Sequence, residues 1–160
     1  SSVQELAGDK EWIQLDQVVE QILDQYKVLA QSRALTIDNQ IPAKPIYMDP
    51  AILKLVLSNV ISNAVKHSDA GGEIQLRLEE EGTHLAIENA SQEMVETAEL
   101  PMTASRQKKE GGLGLFVVQH LLDHEELAYQ FDKTAMGLRF RMELPKEPSK
   151  MPQKWNQDFS

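Results

Sequence analysis

Residues 50 to 67, PAILKLVLSNVISNAVKH, constrain this chain more tightly than any other stretch. Asp49 followed by Pro50 is a helix start: a carboxylate can accept the first free N–H groups, and proline's fixed φ suits the first helical position. At about 100° per residue, Leu53, Val56, Leu57, Val60 and Ala64 fall on one stripe, which must face a core. Asn59, Asn63 and Lys66 share a second stripe roughly 80 to 140° away, with His67 between the two. The amides therefore border the core, where the wall of a cleft would lie. Asn63 offers a neutral oxygen suited to Mg²⁺, which keeps several waters and takes its other oxygens from substrate phosphates. Lys66, one turn on, could neutralise those phosphates. The plainer alternative is an exposed helix edge whose polar groups are satisfied by backbone or water.

The surroundings imply one domain, since 160 residues support a single sizeable core. The opening SSVQELAG, residues 1–8, reads as the residual end of a removed helical hairpin or linker. EWIQL is expected as a short strand, and Asp16 opens an amphipathic helix running to about Ser32. ALTIDNQI alternates as a half-buried strand does, IYM is a brief strand, and GEIQLRLEEEG with THLAIENA forms a hairpin. Residues 91 to 110 read as a long loop with one helical turn, of a length that is usually functional. GGLGLFVVQHLLDH runs from a glycine turn into a helix, and LAYQFDK and GLRFRMEL close the chain as a hairpin around Thr134 to Gly137. This order implies an α+β domain over residues 9–145, a two-layer sandwich of a mixed sheet with about three helices on one face. Residues 146–160 read as a flexible C-terminal tail.

Charge narrows the partners. The net charge is −9, and basic residues stand singly except for Arg106, Lys108 and Lys109, so nucleic acid, which needs a concentrated basic face, is not the expected partner. The absence of cysteine excludes disulfides and thiolate metal sites and fits a reducing cytoplasm. No run of about 18 apolar residues or export signal occurs in this sequence, which leaves open a membrane segment elsewhere in a longer protein.

Gly111, Gly112 and Gly114 stand at the mouth of a helix, where free N–H groups and the helix dipole attract anions and glycine admits phosphate oxygens. Arg106, Lys108 and Lys109 just upstream could close over the same charge. Glycine here could equally serve a tight turn or close packing. The spacing fits neither a P-loop nor the dinucleotide fingerprint. His124 beside Glu125 reads as part of a solvated helix end, and His84 and His120 have no metal-ligand spacing.

With these features in order, the chain resembles the catalytic, ATP-binding domain of two-component sensor histidine kinases over roughly residues 9 to 145. LSNVISNAVKH is similar to that family's N-box, IENAS stands at its G1-box, and GGLGLFVVQHLL is similar to its G2-box. SRQKKEGGLGLFVV and GLRFRMELP lean toward a vancomycin-responsive type of Gram-positive sensor. The resemblance implies the Bergerat ATP-binding fold, with ATP and Mg²⁺ as cofactors. By it, Asn63 would ligate Mg²⁺, Asn59 would support the metal and phosphate geometry, Lys66 would contact phosphate, and His67 would lie against the nucleotide. Asn89 would take the adenine position usually held by Asp. Gly111, Gly112, Leu113, Gly114 and Leu115 would form the phosphate turn, with Arg106, Lys108 and Lys109 in the lid. Three departures stand out: Ser91 and Glu93 replace the G1 glycines, Glu110 replaces the first G2 glycine, and the lid's aromatic segment is missing. These changes would lower nucleotide affinity.

The implied activity is transfer of the γ-phosphoryl group to a histidine on a separate dimerisation hairpin, for relay to a response regulator. This chain would be inactive without that hairpin. The full-length protein would be a membrane-attached homodimer with this domain in the cytoplasm, and the chain itself would be a monomer. Asn59 stands where hydrolases of the superfamily place a water-activating Glu, which disfavours hydrolysis. Two alternatives are a degenerate nucleotide-binding or docking domain and an anti-sigma-type serine kinase.

Overall fold

The computed structural model describes residues 8–92 and 113–148. Strand β1 (Glu11–Gln14) leads into helix α1 (Leu15–Gln25) and the short α2 (Lys27–Ser32), followed by β2 (Thr36–Asn39) and β3 (Pro45–Met48). Helix α3 (Pro50–His67) precedes the hairpin β4 (Glu73–Glu79) and β5 (His84–Ala90). Helix α4 (Leu113–His124) and the hairpin β6 (Tyr129–Lys133) and β7 (Gly137–Glu143) complete the described chain.

Five strands form one sheet in the order β2-β4-β5-β7-β6, in which β2 is parallel to β4 and the other pairs are antiparallel. Alternation then sorts the side chains. Ile74, Leu76, Leu85, Ile87, Phe140 and Met142 turn toward the helices and are buried. A separate antiparallel ribbon pairs β1 with β3, and the Trp12 and Tyr47 rings lie 5.6 Å apart on it.

The expected single helix from Asp16 to Ser32 is two helices, so the described residues hold four rather than about three. No proline or glycine causes the break. Tyr26 leaves helical geometry (φ −104°, ψ 9°), packs its ring against the core and brings its hydroxyl within 3.4 Å of Ser58 Oγ on α3.

Helix α3 starts as Asp49-Pro50 requires: the Asp49 carboxylate accepts from Ala51 N–H at 2.9 Å. The same buried carboxylate accepts the Gly8 backbone N–H, tying the incoming chain to the head of this helix. The apolar stripe of Leu53, Val56, Leu57, Val60 and Ala64 is buried as its periodicity demands. Ile52, Ile61 and Val65 are buried too, because α3 lies between α1 and α4 and also touches β5.

The sheet's other face carries a lattice of charges. Arg77 donates to Glu88 at 2.9 Å and to Glu79 at 3.0 Å, Arg141 donates to Glu79 at 3.0 Å, and Arg139 donates to Asp132 at 2.8 Å. Partial burial alone would raise the Glu79 pKa, but hydrogen bonds and charges from Arg77, Arg139 and Arg141 outweigh it and hold the carboxyl below its ordinary value. A carboxyl depressed on folding stabilises the fold above its unfolded pKa, and that stabilisation is lost as pH falls through the folded one. Glu79→Gln should therefore lower Tm near neutral pH. The gap to wild type should close as pH drops below the ordinary value of 4.5. Parallel Tm curves down to the acid limb would count against this role for Glu79.

Candidate functional site

Three elements converge where the sequence places its amides. Asn63 and Ala64 of α3, Asn89 and Ile87 of β5 and Leu115 in the first turn of α4 line one small cavity. Val60 of α3, Phe131 of β6 and Leu138 and Phe140 of β7 complete its apolar wall. Asn89 reaches this space because β5 is held on both sides: Asn89 is registered against Ile74 of β4 and Leu138 of β7, so its side chain shares their helix-facing direction. It is 7% exposed, yet its amide makes no hydrogen bond to another described residue. Its nitrogen and oxygen are not among the fully enclosed, unpaired side-chain atoms of the described residues, so a polar ligand or water in the cavity can reach them. Asn63 is half-buried and likewise has no side-chain hydrogen bond among the described residues.

Between these residues the space is about 10 Å³, room for roughly one water. A larger planar ligand enters only if the side chains of Asn63, Asn89 and Leu115 turn apart. Two larger hollows, about 400 Å³ against α1, α2 and β2 and about 480 Å³ beside Lys44 and Pro145, contain none of the motif residues. Chemistry rather than volume places the candidate site at the smaller cavity.

The other expected residues separate into groups. Asn59 is not in the cavity wall. Its Nδ2 donates to the Leu55 carbonyl at 2.7 Å, and its Oδ1 lies 2.6 Å from where a Cβ on Gly114 would stand. Gly114 thus lies inside α4 and gives close packing against Asn59. Lys66 and His67 are exposed at the end of α3, with no ion pair among the described residues, so the Lys66 ammonium is available to an anion. Leu113 begins α4. Arg106, Lys108, Lys109, Gly111 and Gly112 lie outside the described residues, as do Glu93 and Glu110. His124 Nε2 stands 3.9 Å from Glu125 at the far end of α4, where His124 is exposed but the Glu125 side chain is largely shielded.

Sequence reasoning missed Gly137 as more than a turn residue. A Cβ there would fall inside the contact distance of the Asn89 carbonyl oxygen and the Ser91 nitrogen, with the Ala90 carbonyl carbon at 3.0 Å. Glycine at this point lets β7 lie against the end of β5 that carries Asn89. Its place at the head of an alternating stretch was a signal, but the strand register that gives it meaning was not visible.

The donor set bears on a metal. No group of three or more His, Cys, Asp or Glu side chains able to hold an ion occurs among the described residues. A cation here would need oxygens from its ligand, as Mg²⁺ does when it binds through phosphates beside one protein oxygen. The Asn63 amide suits that arrangement. No helix among the described residues is long and apolar enough to cross a membrane.

Comparison with known proteins gives this geometry a family. Residues 48–148 match the model of the histidine kinase-, DNA gyrase B- and HSP90-like ATPases. Over 153 residues the chain is 30% identical to the sensor histidine protein kinase HK06 of Streptococcus pneumoniae, covering 90% of this chain and 34% of that protein. It is 31% identical to the sensor protein VanSB of Enterococcus faecalis, covering 83% of this chain and 32% of that protein. The chain therefore spans about a third of the length of these relatives. Its fold is that of the catalytic domain of histidine kinase ThkA (TM-score 0.72, 18% identity, 90% of this chain and all of that one). It is likewise similar to Acinetobacter baumannii histidine kinase AdeS (TM-score 0.70, 21% identity, 89% of this chain and 70% of that one). Helix α3 and everything described after it fall within the matched region, and with them the amide-lined cavity: the chain belongs to the histidine kinase-, DNA gyrase B- and HSP90-like ATPase family.

Proposed function

We propose that this domain binds Mg-ATP in the cavity between α3, β5 and α4 and presents the γ-phosphate to a histidine on a separate dimerisation hairpin. The observation that carries this reading is the meeting of two amides, Asn63 and Asn89, from different elements at one apolar cavity, neither with a side-chain hydrogen bond among the described residues. Asn89 would pair with the edge of the base, while Ile87, Leu115 and Leu138 exclude water from its faces. Asn63 would supply its carbonyl oxygen to the cation, and the exposed Lys66 would offset phosphate charge. Mg²⁺, when bound, neutralises developing charge on the phosphates. Asn59 would act indirectly, by fixing α4 against α3 at Gly114. His67 would lie against the nucleotide at the end of α3. Arg106, Lys108, Lys109, Gly111 and Gly112 would complete the phosphate end.

Transfer to an imidazole is favoured over hydrolysis because the amide at position 59 has no basic group to take a proton from water. What remains is positioning and electrostatics. A response regulator would then take the phosphoryl group, and the full-length protein would be a membrane-attached dimer with this domain in the cytoplasm. The kinase names of the relatives support this reading, as does their greater length, which leaves room for the hairpin.

The test is direct. Purified chain is mixed with its hairpin and Mg-ATP, and phosphate on the hairpin is followed in acid and in base. Acid-labile, base-stable phosphate on histidine is the expected product. Its absence would remove the kinase claim, and acid-stable phosphate on serine would point to the anti-sigma-type chemistry.

A further inference from the structure

We infer that Asn89 makes the base end of the site permissive, so that it takes 6-oxopurine nucleoside triphosphates as well as ATP. This rests on the nucleotide site proposed above and specifies which substrates it admits. A carboxamide carries one acceptor and one donor group side by side. Against a 6-aminopurine, the Asn89 carbonyl accepts from the N6 amino group while its NH₂ donates to N1. Turned over by 180° about its last torsion, the same group donates to O6 of a 6-oxopurine and accepts from N1–H. Each orientation satisfies both partners, so neither base leaves a buried polar group unpaired.

The surroundings do not choose between the two orientations. Asn89 makes no hydrogen bond to another described residue that would hold its amide one way. Among the described residues the cavity is lined by apolar side chains and one further neutral amide, Asn63, with no ionised group. The neighbouring Glu88 points to the opposite face, where it accepts from Arg77 at 2.9 Å, so its charge does not reach the cavity. The backbone offers no alternative way to discriminate, because residue 89 is paired to strands on both sides and only its side chain can adjust to a ligand. A carboxylate at the same point has only acceptors, so it pairs with one group of either base, N6–H or N1–H, and stands against an acceptor at the other, N1 or O6.

Calorimetric titration of the purified chain with Mg-ATP and Mg-ITP tests this. Dissociation constants within about tenfold of each other are expected for the wild type. Asn89→Asp should weaken both nucleotides by about tenfold or more and leave their ratio near that of the wild type, since a paired polar group is turned into an opposed one with either base. ATP binding with ITP more than about tenfold weaker in the wild type would overturn the inference while leaving the site intact. Failure of both nucleotides to bind would overturn the site itself. Unchanged affinities for both nucleotides in Asn89→Asp would remove the role from this residue. Where that variant does not fold, Asn89→Ala serves, and a preserved wild-type ratio of near unity with both affinities reduced is its expected result.

Discussion

Gly137→Ala should lower the unfolding free energy by about 3 kcal/mol and weaken nucleotide binding with it. The new methyl would collide with backbone at the Asn89 carbonyl oxygen and the Ser91 nitrogen. A flexible side chain could turn away from such a collision, but backbone inside a sheet cannot. Residue 137 is registered against Ala90, and Asn89 against Leu138, so relief requires the ends of β5 and β7 to separate. That movement would break ladder hydrogen bonds and carry the Asn89 amide away from the cavity. Larger residues should cost more. Gly114→Ala makes a useful contrast, because its methyl meets a side-chain atom, Asn59 Oδ1 at 2.6 Å, which can move at the cost of one hydrogen bond to Leu55. Urea denaturation of both variants, with nucleotide titration of each, checks the pair. A Gly137→Ala protein within about 0.5 kcal/mol of wild type would refute the packing argument.

What could be read from the sequence, and what could not, follows from the range of the interactions involved. The limits of α3 were readable because Asp49, Pro50 and the apolar period act within a few residues. The β4–β5 hairpin was readable for the same reason, its alternation being set by one buried face. Asn63 was singled out by its angle on the helix and Asn89 only by the resemblance of IENAS to a family box, and the structure brings them to one cavity. Asn59 shows where local reasoning ends: its angle on the helix matched Asn63, but a glycine on another helix determines what it touches. The break at Tyr26 has no local breaker and follows from ring packing and the approach to Ser58. Burial of Ile61 and Val65 depends on α1 and α4 flanking α3 on both sides, which one helix's periodicity does not encode. Gly137 belongs to the same class, since its constraint exists only once β5 and β7 are in register.

Asn63→Ala should cost about a hundredfold in nucleotide affinity with Mg²⁺ present and much less with the metal chelated. The asymmetry follows from the proposed role. A carbonyl oxygen that ligates a cation contributes only when the cation is there, whereas an amide that contacts the base or merely packs contributes equally in both conditions. Stability should barely change. The Asn63 amide makes no hydrogen bond to another described residue, so its removal strands no partner, and the helix gains a better helix former. The variant can therefore be compared with wild type at equal folded fraction, which calorimetric melts would confirm. Lys66→Ala provides the complementary case: it removes an exposed charge that offsets phosphate, so its effect should shrink as salt rises and persist without metal. Equal losses for Asn63→Ala with and without Mg²⁺ would move the metal elsewhere. Nucleotide-free behaviour of the wild type itself would favour the docking alternative, in which Ser91 and Glu93 mark a base-and-phosphate site already lost.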